Sequence, residues 1–118
     1  MINAFDEFRA AWLPNTSDSG LERIRGLLEA ASPLLIHGAF TRVCPMGCLA
    51  THIAWNHPRT SGGGDEAGVA WLTAVAGLNP GTSRLLLAWD RRGVHDRELR
   101  DGLVALCRAE GESRALSC

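Results

Sequence analysis

Apolar residues recur at helical spacing along most of this chain, and prolines and glycines cut the pattern into short pieces. The clearest piece is Leu21, Ile24, Leu27, Leu28 and Ala31, a stripe along one face of a 3.6-residue repeat. Ser19-Gly20-Leu21-Glu22 has the form of a capping box at its start, and Pro33 closes it. Phe5, Phe8, Ala11 and Trp12 predict a first helix over 3–12, ended by Pro14. Pro45 suits the first turn of a third helix, with Cys44 as its N-cap. That helix should stop near Asn56, because Pro58 pushes His57 toward extended backbone. Trp71, Leu72, Val75, Ala76 and Leu78 predict a fourth helix, after the break at Ser61-Gly62-Gly63-Gly64. Residues 85–89 predict a fifth, with a strand as the alternative, and Leu99, Leu103, Leu106 and Cys107 a last one beyond Gly93.

This order implies a single all-α domain over residues 1–118, a compact bundle of five to six short helices. The expected core holds Leu27, Leu28, Met46, Leu49, Ile53, Trp71, Val75, Leu86, Leu103 and Leu106, with Cys107 as a packed small hydrophobe. A hydrophobic fraction of 46% and a charged fraction of 21% fit a folded chain rather than a disordered one. The net charge of -1 offers no general attraction for nucleic acid or an anionic membrane. No apolar run approaches the roughly 18–20 residues of a membrane span. Asp6 and Glu7 stand where a secretory signal would be basic, so the expected location is the cytoplasm, with reduced cysteines.

Chemistry is concentrated in Cys44-Pro45-Met46-Gly47-Cys48-Leu49-Ala50-Thr51-His52. On a helix, Met46, Leu49, Ala50 and Ile53 share one side, whereas Cys44, Cys48, His52 and Trp55 share the other. Three readings follow. The helix is central and buried all round, with His52 hydrogen-bonded inside. Alternatively, Cys44, Cys48, His52 and His57 form a ligand set for zinc, copper or iron, with His37 as another source of a fourth ligand. Or Cys44 and Cys48 are a redox pair, Cys44 attacking from a helix start and Cys48 resolving. Trp55, on the cysteine face, is the residue placed at a partner surface.

In the redox reading the stretch resembles the active-site segment of thioredoxin-like proteins. Leu34-Leu35-Ile36 precedes the cysteine–proline helix start, and Asn79-Pro80-Gly81-Thr82 precedes Leu85-Leu86-Leu87 like their later proline–strand segment. The resemblance implies an α/β fold with a sheet-backed dithiol, the alternative to the helical bundle. Here the cysteine spacing is one residue longer than C-x-x-C. Residues 34–40 decide between the two, and their pattern suits either a strand or a helix.

Residues 74–86 also look like a helix-turn-helix, in which Thr82, Ser83 and Arg84 face a DNA groove. A DNA-binding regulator using residues 82–92 is therefore the alternative function. Charge counts against nucleic acid, since Arg84, Arg91 and Arg92 stand nearly alone and Asp90 offsets one of them. No Ser/His/Asp set or carboxylate pair gives catalysis a home; the one enzymatic option is thiol–disulfide exchange by Cys44 and Cys48. The expectation is a small accessory or regulatory binding protein that meets a protein partner or a second copy of itself.

Overall fold

A computed structural model of the chain describes residues 3–38, 47–56, 73 and 77–116. These contain five α-helices: α1 (Ala4–Ala11), α2 (Asp18–Glu29), α3 (Leu49–Trp55), α4 (Arg84–Arg92) and α5 (Arg97–Leu116). No strand is formed among them, and the fold is all-α. The Met46, Trp71 and Val75 expectations, and most of the fourth helix predicted over 71–78, lie outside the described residues.

Helix α1 starts at Asn3, whose side-chain oxygen accepts the Asp6 N–H at 2.9 Å, and Asp6 and Glu7 complement its positive end. Pro14 stops it as expected, and the chain turns through one 3₁₀ turn, Leu13–Asn15. Helix α2 begins two residues before the predicted box. Ser17, not Ser19, is extended and its hydroxyl accepts the Gly20 N–H at 3.0 Å. The Ser17 N–H is itself held by the Asn56 carbonyl at 2.9 Å, which ties the start of α2 to the end of α3. Only glycine fits at position 20, because a Cβ there would lie 2.5 Å from that of Asn56.

The segment after α2 is neither helix nor strand. Leu35 makes an isolated parallel bridge to Gly47, with Ile36 N–H donating to the Gly47 carbonyl (2.9 Å) and Gly47 N–H to the Leu34 carbonyl (3.0 Å). This corrects two expectations. Among the described residues the sheet-backed architecture implied by the thioredoxin-like resemblance is not built, since 34–36 pairs there with Gly47 alone and 85–87 lies in α4. The third helix also starts later than Pro45, because both backbone groups of Gly47 are committed to the bridge. Cys48 is therefore its N-cap.

Helix α4 settles residues 85–89 as helical. Ser83 caps it by accepting the Leu86 N–H at 3.3 Å, and Gly93 ends it at φ 61°. Asp96 then caps α5 through Leu99 N–H (3.1 Å), and α5 runs on to Leu116, well past the apolar stripe that announced it. Among the described helices, α2 and α5 make the most extensive pair. Leu21, Ile24 and Leu28 meet Leu103 and Cys107 in a core that also takes Phe8, Trp12, Leu49, Ile53, Leu86 and Trp89. Each such large side chain contributes about 1.5–3 kcal/mol through burial. Leu27 and Leu106, expected inside, pack against this core but are only partly buried. No described helix is long and apolar enough to cross a membrane.

Cys107 is 2% exposed, and burial pushes its thiol up to about 12. The folded protein should therefore leave Cys107 unmodified by a disulfide-exchange reagent near neutral pH, and react there only after denaturant is added. Peptide mapping by mass spectrometry reads this directly; rapid labelling in the native state would contradict the packing.

Candidate functional site

Only part of the predicted cysteine–histidine set can be placed. Cys44 and His57 lie outside the described residues, whereas Cys48, His52 and Trp55 are all positioned by α3. Every residue from Leu49 to Ala54 is buried, so α3 does not divide into a greasy side and a chemical side. It runs through the middle of the molecule. The reason is visible in its neighbours: α2, α4, the 3₁₀ turn after α1 and the Leu34–Ile36 segment all approach it.

Cys48 is 7% exposed, and its Sγ lies 3.3 Å from the buried hydroxyl of Thr51. His52 is 4% exposed. Its Nε2 is 2.8 Å from the Leu34 carbonyl, which can only accept, so that nitrogen carries the proton and donates. The Leu34 carbonyl thereby receives two donors, Gly47 N–H and His52 Nε2–H. Trp55 stands edge-on to the His52 ring at 5.1 Å between centroids and covers Gly47, where a Cβ would lie 2.9 Å from its ring carbons. It is half-buried. Among the described residues, no group of three or more His, Cys, Asp or Glu side chains is arranged to hold a metal ion.

Burial lowers the His52 pKa below the ordinary imidazole value; the positive charge of Arg23 acts the same way, and the bond to Leu34 opposes it. A folded-state pKa below the unfolded one means that the unfolded chain binds more protons as pH falls. His52 therefore contributes full stability above about pH 6.5, and that contribution is lost as pH drops through and below this value. Comparing urea unfolding of wild type and His52→Gln from about pH 7.5 to about pH 5 should show the difference between them shrinking toward acid. A constant difference would mean that His52 does not titrate with folding.

The residues of the DNA-binding alternative are spread over different tasks. Ser83 is buried and spent on the α4 cap, Thr82 Oγ1 donates to the Asn79 carbonyl at 2.8 Å, and Arg84 pairs with Glu7 at 3.4 Å. A surface that the sequence did not announce lies beside Cys48. A cleft of about 150 Å³ opens between the start of α3 and α4, lined by Cys48, Ala50, Pro80, Leu86, Leu87 and Trp89, with the exposed Asp90 at its edge. Leu87 stands at 42% exposure. The available signal was the run Leu85-Leu86-Leu87, since three consecutive helical positions cannot all face one core.

No protein-family model, curated protein or solved structure matches this chain.

Proposed function

We propose that this chain is a small accessory or regulatory binding protein, whose cleft between α3 and α4 receives an apolar side chain of a protein partner. The observation behind this reading is the pairing of a mostly apolar cleft of about 150 Å³, edged by Asp90, with an exposed Leu87. A cleft of that volume admits a group of about the size of one branched or aromatic side chain. Cys48 contributes a thiol to the lining. Thiol exchange with Cys44, or zinc, copper or iron held with Cys44 and His57, stays part of this proposal on sequence grounds alone. Support for binding over catalysis comes from the described polar groups. Cys48, Thr51, His52 and Ser83 are each hydrogen-bonded to neighbours within the fold.

The test uses Leu87→Asp, which places a charge at the rim, and Ala50→Phe, which fills the cavity. Circular dichroism first establishes that both fold. A protein that co-purifies with the wild-type chain from its native extract should be lost with each variant, and its binding should protect Cys48 from a small maleimide. Retention of the same partner by both folded variants would reject the cleft as the recognition surface.

A further inference from the structure

Outside this cleft, the fold brings together two histidines that are far apart in sequence. His37 follows the Leu35 bridge, and His95 ends the 3₁₀ turn Gly93–His95 between α4 and α5. Their ring centroids are 6.1 Å apart and their planes are inclined at 81°. His37 Nδ1 lies 3.1 Å from the Asp90 carbonyl. A carbonyl can only accept, so Nδ1 carries the hydrogen in the neutral ring and Nε2 keeps a bare lone pair. Histidines that ligate metals are commonly fixed this way, with the second nitrogen donating to a backbone carbonyl. Gly38 N–H donates to the Asp90 carboxylate at 3.0 Å, which clamps the backbone beside the ring from the other direction. Neither Nε2 of His37 nor the His95 ring has a hydrogen bond among the described residues, and His95 is exposed.

We infer that His37 and His95 form a binding site for a divalent first-row transition ion such as Ni²⁺ or Zn²⁺. The geometry suits it. Two imidazoles bound to one tetrahedral ion through nitrogens about 2.0–2.1 Å away have ring centres about 5.2 Å apart, which a movement of about 1 Å by the exposed His95 ring would reach from the present 6.1 Å. Imidazole nitrogen is a preferred ligand for these ions, and water completes the coordination. Two protein ligands rather than three or four make this a weak site. The ion would fasten the Leu35–Gly38 segment to the corner between α4 and α5, so occupancy raises the melting temperature.

Ni²⁺ is the probe, because its unpaired electrons broaden the NMR signals of rings that bind it. Titration into the full chain should broaden the ring signals of His37 and His95 together, ahead of those of His52 and His57. His95→Gln changes an exposed side chain and should keep the fold; it is expected to weaken Ni²⁺ binding at least tenfold and to abolish the rise in melting temperature. His37→Gln should do the same. Broadening of His57 first, unchanged affinity in His95→Gln, or no binding at millimolar Ni²⁺ would each overturn the assignment and leave the two rings as a packing pair.

Discussion

Replacing Arg114 with alanine is expected to lower the unfolding free energy by about 2 kcal/mol, a large effect for a residue near the end of the described chain. Its guanidinium lies where the 3₁₀ turn Leu13–Asn15 passes into α2, and its side chain is only 22% exposed. Nη2 donates to the Leu13 carbonyl at 2.9 Å and Nη1 to the Thr16 carbonyl at 3.0 Å. Nε meets Glu110 one turn back on α5 at 2.9 Å, while Asp18 accepts at 3.0 Å from an exposed position. The Asp18 pair contributes little, because water screens it. The carbonyl contacts decide the effect: alanine removes a charged donor from the Thr16 carbonyl in a half-buried corner and frees α5 from the start of α2. Arg114→Lys keeps the charge without the planar fork and should recover less than half of the loss. Urea midpoints at constant m-value measure both variants. Alanine within about 0.5 kcal/mol of wild type would show that the corner is held by packing alone.

Arg114 also marks where sequence reasoning stopped. The stripe Leu99, Leu103, Leu106 and Cys107 announced α5, but nothing local required the helix to continue to Leu116. Its far end is fastened to Leu13, Thr16 and Asp18, partners nearly a hundred positions away that periodicity does not register. The same distinction runs through the molecule. Prolines and apolar spacing located α1, α2 and α4 because their signals are confined to one turn or one face. Ser17 displaced Ser19 as the α2 cap because Asn56, from another helix, holds its N–H. Cys48 displaced Cys44 because Gly47 is drawn into a bridge with Leu35. For the site, the sequence picked out Cys48, His52 and Trp55 by residue type, and one of its three readings, a central helix with His52 bonded inside, is the arrangement around α3. The helical wheel misassigned their face, since a wheel reports spacing on one helix and not how many neighbours surround it. The cleft and the His37–His95 pair arise wholly from tertiary contacts, across 53 residues in the bond between His37 and Asp90.

Gly93→Ala is expected to cost about 2–4 kcal/mol, from two separable causes. Gly93 sits at φ 61° and ψ −156°, a region open to glycine and strongly disfavoured for any residue with a Cβ. An added Cβ would also lie 2.3 Å from His37 Cδ2, well inside contact distance. Backbone strain persists whatever stands at position 37, whereas the collision requires the imidazole. His37→Ala in the Gly93→Ala background should therefore restore about 1 kcal/mol, a coupling that a double-mutant cycle isolates. The same substitution bears on the histidine pair, because His37 lies over Gly93 while its Nδ1 reaches Asp90. A displaced ring cannot keep both that bond and its distance to His95, so the folded Gly93→Ala protein should bind Ni²⁺ more weakly than wild type. A cost below about 1 kcal/mol would mean the turn can rearrange to accept a side chain. An undiminished cost without the imidazole would assign the whole effect to backbone strain and remove Gly93 from any part in positioning His37.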